Sequence, residues 1–217
     1  MSRPVRTLMS RVRWKPQPIP EILRFLSLLL LLATLAAAGS YLELPLFFGL
    51  RFSFGLVAVL LALVWLGLPA ALVVAAVQCS TTWLLYGQPI SFLLVGSLTL
   101  FVGARLAWAR RRGQGPPSLA LSVSAYWLLL SIPLALAYAL SWIAVEPGLA
   151  AAVLMQKAVN DLVAALLAEL IVLAVGSLRR HQASLSNRHV LFVLLTAATL
   201  LPAFSLVVLG VRDLQGQ

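Results

Sequence analysis

The chain has 217 residues, of which 62% are hydrophobic and 10% are charged. A soluble globular domain carries about 25% charged residues, so this composition excludes an ordinary soluble domain. It also excludes disorder, which requires low hydrophobicity and high charge. The net charge of +10 does not lead us to expect a nucleic acid as partner, because the basic residues lie beside apolar stretches. The composition therefore indicates a membrane protein with several spans.

The hydrophobic stretches predict the fold class. A bilayer core about 30 Å thick requires about 20 apolar residues per helix. On this measure the sequence predicts an all-α, polytopic transmembrane helix bundle of about seven spans within residues 22–211. The stretches are Ile22–Gly39, Phe52–Leu66, Pro69–Tyr86, Ile90–Trp108, Leu119–Val145, Leu149–Leu178 and Val190–Val211. We expect residues 1–21 to form a basic cytoplasmic arm and residues 212–217 a short extracytoplasmic tail.

Two of these stretches leave alternatives open. The second and third are short and are joined by Gly67-Leu68-Pro69, without a charge in the turn. They predict either two tilted helices or one re-entrant hairpin, and both return the chain to the same side. The first stretch contains Ala36-Ala37-Ala38, which resembles a signal-peptide cleavage site. Its long basic leader and the spans that follow favour an uncleaved first helix.

The basic residues predict the orientation. With a cytoplasmic N-terminus, thirteen of the sixteen Lys and Arg residues fall on the cytoplasmic side. Arg51 and Arg212 fall outside, and Lys157 lies within a span. The positive-inside rule therefore predicts a multi-pass protein of the bacterial inner membrane with an extracytoplasmic C-terminus. We expect anionic lipids to associate with the basic cytoplasmic loops.

The sequence lacks the residues of a catalytic or metal site. The single Cys79 excludes a disulfide framework and a cysteine-based zinc site. The two histidines, His181 and His189, lie in or beside a predicted cytoplasmic loop and have no acidic neighbour. No metalloprotease, nucleophile-elbow or phosphate-loop motif is present. We therefore expect no enzymatic activity, no metal and no cofactor.

The sixth stretch contains most of the polar residues that could bind a ligand. Charged groups within a span are costly and face a bundle interior or water. Lys157, Asn160 and Asp161 share one face of a helix and are predicted at depths of roughly 12–18 Å from the extracytoplasmic end. One interpretation is an i,i+4 ion pair that only holds helices together. The other is a pocket for a small polar or anionic ligand. Glu169 projects elsewhere, and we expect it to bond a neighbouring helix.

Other predicted ligand-binding residues lie in the first outer loop and the third stretch. Gln78 lies at a depth comparable to that of Lys157, as a pocket between two helices requires. Trp83 and Tyr86 follow it, although aromatic residues are common at membrane interfaces. Arg51 could clamp an acidic group or extend to lipid phosphates. The aromatic residues of the fifth stretch, Tyr126 and Trp127 among them, are typical of packing or interface positions.

Three segments carry a resemblance to a known family: FFGLRFSFGLVAVLLALVWLG, YGQPISFLLVGSLTLFVGARLAWARRR and QKAVNDLVAALLAEL. From about Leu42 to Arg180, the chain resembles the vitamin-uptake-like membrane region N-terminal to histidine kinase or diguanylate cyclase modules. That region is similar to the S components of energy-coupling-factor transporters. The resemblance implies a six-helix-type bundle with an outward-opening ligand pocket. It also implies that Arg51, Gln78, Tyr86, Lys157 and Asn160 lie near that pocket.

These observations predict a small-ligand-sensing membrane region of a bacterial signalling protein. Any kinase or cyclase activity would lie in a module outside this chain. One alternative is the substrate-binding membrane component of a vitamin or micronutrient transporter. Another is a non-catalytic scaffold for envelope assembly. A second copy of the chain or a signalling protein is the expected macromolecular partner.

Overall fold

The computed structural model describes residues 19–45, 51–87, 89–131, 133 and 147–179. In this part of the chain, six α-helices account for nearly all of the regular structure. They are α1 (Ile19–Tyr41), α2 (Gly55–Trp65), α3 (Leu68–Tyr86), α4 (Ile90–Arg111), α5 (Leu119–Tyr126) and α6 (Pro147–Arg179). Two short strands, β1 (Glu43–Pro45) and β2 (Arg51–Ser53), pair antiparallel between α1 and α2.

Four segments of the described chain are long and apolar enough to cross a membrane. They are Glu21–Tyr41, Leu68–Tyr86, Ile90–Arg111 and Gln156–Gly176. Two further apolar helices, Gly55–Trp65 and Leu119–Leu130, are shorter. The chain is therefore a helical membrane protein, and these segments correspond to the first, third, fourth and sixth predicted stretches.

The described part of the chain confirms the all-α fold class, with one short non-helical addition between α1 and α2. The second stretch was predicted to begin at Phe52, but Phe52 and Ser53 belong to β2, and α2 begins only at Gly55. In the ribbon, Glu43 pairs with Ser53 and Pro45 with Arg51. The hydrophobic pattern alone could not identify β2, because three residues are too few to show the alternation of a strand.

Helix α2 lies at the centre of the described bundle. Eight of its eleven residues are buried, including Leu56, Val59 and Leu60. It packs against α1, α3 and α6. Gly39 of α1 makes a close approach possible, since a Cβ atom built there would lie 2.8 Å from the backbone nitrogen of Gly55. Such contacts between small residues let membrane helices pack backbone to backbone.

The turn between α2 and α3 lies beside α4, well before the Arg111 end of that helix. Gly67 forms it with a φ of 93°, a conformation that is largely restricted to glycine. Beside it, Gly103 of α4 contacts Leu63 and Leu68 across the turn. Gly103 precedes Arg111, the last residue of α4, by about 12 Å at 1.5 Å per residue. Helix α2 is itself only about 16 Å long, roughly half the thickness of a bilayer core.

The fifth stretch contains an irregular turn instead of one continuous α-helix. Helix α5 ends at Tyr126, and a π-helical turn covers Trp127–Ser131. Pro133 follows this turn. Proline has no backbone N–H and its ring crowds the carbonyl four residues earlier, which disfavours regular α-helix at this place. The turn fixes the position of Trp127, which the site described below uses.

Several sequence predictions lie outside the described residues. These are the basic arm up to residue 18, the end of the fifth stretch from residue 134 to 145, the seventh stretch and the C-terminal tail. The count of seven spans, the orientation and the three-part division of the chain remain predictions.

Candidate functional site

The predicted ion pair in α6 is present and has a third member. Nζ of Lys157 donates to Oδ1 of Asp161 at 2.5 Å. The other carboxylate oxygen, Oδ2, accepts a hydrogen bond of 3.2 Å from Nε1 of Trp127. Trp127 and Asp161 are both buried. The π turn after α5 therefore supplies an indole donor that, together with Lys157, satisfies both oxygens of the buried carboxylate.

The two members of the ion pair differ in their exposure. The Asp161 side chain is 2% exposed, whereas that of Lys157 is 24% exposed. An ammonium group has three donors, and among the described residues Lys157 uses one of them, on Asp161. Both oxygens of the buried carboxylate thus have a hydrogen-bond partner. The ammonium is partly exposed and can donate further hydrogen bonds.

Asn160, on the same face of α6, joins the helix to the start of α2. Its Oδ1 accepts a hydrogen bond of 3.2 Å from the backbone nitrogen of Ser53. Ser53 in turn donates through Oγ to the backbone oxygen of Gly39 at 3.2 Å. This chain of contacts connects α6 through β2 to the end of α1. It gives Asn160 a structural role and leaves the NH2 end of its amide available.

Gln78 of α3 lies on the other side of this junction. Its side chain packs against Gly55, where an added Cβ atom would lie 2.9 Å from Nε2 of Gln78. Gln78 is 5% exposed. Its Oε1 is buried and has no hydrogen-bond partner among the described residues. An unsatisfied buried acceptor costs about 1–3 kcal/mol, so this oxygen is a strained feature that a ligand group or a water molecule would relieve.

Together these side chains form what we call the polar cluster: Ser53, Gln78, Lys157, Asn160 and Asp161. Strand β2 and helices α3 and α6 contribute to it, and Cys79, next to Gln78, is close enough to Lys157 for the ammonium charge to act on it. The structure thus places Lys157, Asn160, Asp161 and Gln78 in one part of the bundle, and their role in ligand binding stays a prediction.

The depth of the polar cluster in a membrane stays a prediction. Asn160 is tied through Ser53 to Gly39, which is about 3 Å from the last residue of α1. The expected depths assumed that α6 begins at the membrane surface. In the structure α6 has 33 residues and a length of about 50 Å, which exceeds the thickness of a bilayer core. Its first turns therefore do not mark that surface.

Glu169 forms a second junction, with α5, as the sequence predicted. Its Oε2 accepts hydrogen bonds from Oγ of Ser118 at 2.9 Å and from the backbone nitrogen of Ala120 at 3.2 Å. Ser118 is also the N-cap of α5, since its Oγ accepts from the backbone nitrogen of Leu121. A carboxylate at this place is favoured by the unpaired N–H groups and the dipole of the helix start.

The other predicted site residues are placed differently. Trp83 is half exposed on α3 and packs edge-to-face against Phe92 of α4, with ring centroids 6.5 Å apart. Tyr86, at the end of α3, is also exposed. The described contact of Trp83 is thus with α4 and not with the polar cluster. Arg51 lies in β2 with its backbone opposite Pro45, and its side chain lies outside the described part of the structure.

Sequence reasoning missed two contributors to the site. Trp127 was assigned to packing, yet its indole donates to Asp161. A tryptophan in the middle of a span needs an acceptor for its N–H, and this need could have identified it. The Gly39–Gly55 contact was also missed. Small residues near the ends of two successive apolar stretches are typical of close helix packing.

Within the described residues, no group of three or more His, Cys, Asp and Glu side chains is arranged to hold a metal ion. Comparisons with protein-family models, with curated proteins and with solved structures found no match to this chain. The function therefore has to be argued from the polar cluster itself.

Proposed function

We propose that this chain is a multi-pass membrane protein that binds a small polar or anionic ligand in the polar cluster, from the extracytoplasmic side. Lys157 would bind an acidic or electron-rich group of the ligand, and the amide of Asn160 would donate a further hydrogen bond. Asp161 would hold the ammonium in place and remain buried. The proposal assigns no catalytic step to the chain.

The observation that supports this proposal most strongly is the unequal burial of the Lys157–Asp161 pair. A pair that only joins helices would be expected to enclose both charges and to satisfy their hydrogen bonds within the protein. Here Asp161 meets that description, with both oxygens bonded. Lys157 does not, because it is 24% exposed and bonds only Asp161 among the described residues. An incompletely satisfied ammonium in a membrane protein favours a ligand-binding role.

The proposed orientation places the cluster toward the extracytoplasmic side. The cluster lies near the Tyr41 end of α1, and the positive-inside rule assigns that end to the outer side. We further propose that α2 and α3 form a re-entrant hairpin within a bundle that otherwise follows the predicted spans. The length of α2 and the position of Gly67 beside Gly103 support this choice. Helix α2 packs against α1, α3 and α6, and a re-entrant segment requires protein contacts of this kind.

Ligand binding of this kind suits either a sensor or a capture component. We favour a small-ligand-sensing region of a bacterial signalling protein, because Asp161 links the proposed site to α5 through Trp127. A ligand that bound Lys157 would then change the contacts of Asp161 and Trp127 and so act on the π turn. Turns of this kind are frequent at functional sites in helices. The substrate-binding component of a micronutrient transporter is the second candidate, because the same partly exposed ammonium would suit capture without a signal.

The proposal is tested by thermal unfolding of the purified protein in the presence of small carboxylates, phosphates and sulfonates. A ligand that binds only the folded state raises the melting temperature by mass action. The decisive variant combines Lys157→Met with Asp161→Leu, which removes both charges and keeps apolar volume. Replacing a buried ion pair in this way is often neutral for stability, so we expect a folded protein that has lost the thermal shifts of the parent.

Two further variants separate binding from folding. Lys157→Met alone strands the Asp161 charge, and we expect it to lower the free energy of unfolding by about 3 kcal/mol. Asn160→Leu leaves the charges intact and should weaken binding by about 1–2 kcal/mol through lost hydrogen bonds. The proposal is wrong if the parent shows no shift with any compound. It is also wrong if the stable double variant keeps every shift of the parent.

A further inference from the structure

The polar cluster has unused donors and an unused acceptor at different positions. Lys157 has donors beyond the one that it uses on Asp161. Asn160 uses its carbonyl oxygen on Ser53 and keeps its NH2 group for another partner. Gln78 offers the opposite chemistry, because its buried Oε1 lacks a hydrogen-bond partner among the described residues. A ligand that bonded all three side chains would need acceptors for Lys157 and Asn160 and a donor for Gln78.

Gly55 leaves room for the Gln78 amide. A Cβ atom added at position 55 would lie 2.9 Å from Nε2 of Gln78, 2.9 Å from the backbone oxygen of Ala36 and 2.7 Å from Oγ of Ser40. Nε2 is therefore the end of the amide next to Gly55, and Oε1 is the end that lacks a partner among the described residues.

Gln78 and Lys157 lie in the same part of the bundle. Gln78 contacts Gly55, and the backbone nitrogen of Gly55 is 3.5 Å from Oγ of Ser53. The backbone nitrogen of Ser53 is 3.2 Å from Oδ1 of Asn160, three residues after Lys157 on the same helix face. The charge of Lys157 also acts on Cys79, the residue next to Gln78. A single ligand that contacts both Gln78 and Lys157 is therefore a reasonable hypothesis to test.

We propose, on the basis of the ligand-binding function above, that the ligand is a small anion that also carries an uncharged N–H or O–H donor. Its anionic group binds Lys157 and the amide of Asn160, and its donor binds Oε1 of Gln78. The donor is uncharged because Lys157 already supplies a positive charge nearby, and a second cation would be repelled. Anions that lack such a donor, for example sulfate or carboxylates with an alkyl tail, satisfy only the Lys157 half of the site.

The test uses matched pairs of short-chain carboxylates. One member of each pair carries a terminal hydroxyl or carboxamide, and the other has the same length but ends in a methyl group. Dissociation constants are measured by calorimetry for the full-length parent, for Gln78→Leu and for Thr99→Val. Thr99 of α4 is a buried polar residue that bonds only within its own helix among the described contacts, so its variant controls for the general effect of removing a buried polar group.

In the parent and in Thr99→Val, we expect the hydroxyl or carboxamide member to bind roughly three- to tenfold more tightly than its methyl partner, as one neutral hydrogen bond provides. In Gln78→Leu this preference should disappear. The inference is overturned if the parent binds both members equally or if Gln78→Leu keeps the preference. In either case, binding that still requires Lys157 would leave the proposed function intact.

A different result would count against both proposals. If neither member of any pair binds the parent in a way that Lys157→Met with Asp161→Leu abolishes, the ligand site itself is absent. The comparison of pair members in the parent does not depend on a variant, so it decides the inference even if Gln78→Leu does not fold. Gln78→Asn, which keeps the amide but withdraws it by one methylene group, should then give an intermediate preference.

Discussion

Trp127 and Asp161 are joined by a hydrogen bond of 3.2 Å between the indole nitrogen and Oδ2 of the carboxylate. The bond connects the π turn after α5 to the middle of α6. With this bond both oxygens of Asp161 have a hydrogen-bond partner, because the other oxygen binds Lys157. Because the carboxylate is satisfied on both sides, Asp161 acts as a fixed support that positions the ammonium of Lys157.

Removing this bond should destabilise the parent but not a variant that lacks the charge pair. Trp127→Phe keeps an aromatic ring and deletes the donor, and we expect it to lower the free energy of unfolding by about 1 kcal/mol. In the background of Lys157→Met with Asp161→Leu, the bond is already absent, so the same change should cost less. A double-mutant cycle of denaturant unfolding in detergent measures this coupling. Equal costs in the two backgrounds would show that the hydrogen bond is energetically unimportant.

The junction between Glu169 and the start of α5 should also show coupling. Glu169→Leu leaves the Ser118 hydroxyl and the backbone N–H of Ala120 without their acceptor. Hydrogen bonds between membrane helices average about 0.6 kcal/mol and reach about 1.7 kcal/mol. We expect Glu169→Leu and Ser118→Ala each to destabilise the protein, with a combined effect smaller than the sum of the two. Ser124→Ala is the control, because its Oγ bonds the backbone of its own helix. If the two losses of unfolding free energy were strictly additive, Glu169 and Ser118 would not interact as described.

Gly55 should tolerate no side chain. A Cβ atom there would lie 2.7 Å from Oγ of Ser40 and 2.9 Å from the backbone oxygen of Ala36. Because the second contact is to backbone, helices α1 and α2 would have to separate. Overpacking of this kind costs about 1–3 kcal/mol, so Gly55→Ala should lower the melting temperature. Gly96→Ala in α4 is the matched control, because nothing lies within 4 Å of its added Cβ. If the two variants melt alike, the close packing of α1 on α2 is wrong.

Reporter fusions test the proposed orientation. A reporter placed after Arg112 should read cytoplasmic, because Arg110, Arg111 and Arg112 form a basic group at the end of α4 and such groups stay inside. A reporter placed after Gln217 should read extracytoplasmic. The proposed topology is contradicted if both reporters are found on the same side of the membrane.

Hydrophobic length predicted the strongest elements because it reflects a direct physical requirement. A segment such as Ile90–Trp108 must be helical to satisfy its backbone in a bilayer, and α4 covers it. The ion pair of Lys157 with Asp161 was also predictable, since it depends only on the i,i+4 spacing of a helix. Local rules of this kind do not require knowledge of which helices are neighbours.

The remaining contacts depend on neighbours that the sequence does not specify. The bond from Ser53 to Asn160 joins residues 107 positions apart, and no local pattern indicates this pairing. The short strand β2 was missed because three residues are too few to show the alternation of a strand, and because its partner β1 is not specified by a local pattern. Each of these errors arose where packing between helices, and not hydrophobic length, decides the structure.

The central claim is that the ammonium of Lys157 faces a space open to the extracytoplasmic side, and thiol labelling tests it most directly. The chain has one cysteine, the buried Cys79, so Cys79→Ser provides a cysteine-free background. In that background, Lys157→Cys is combined with Asp161→Asn, which avoids an unpaired charge and can still accept from Trp127. We expect a membrane-impermeant maleimide added outside intact cells to label Cys at position 157. Labelling that occurs only after denaturation, or only from the cytoplasmic side, would contradict the claim.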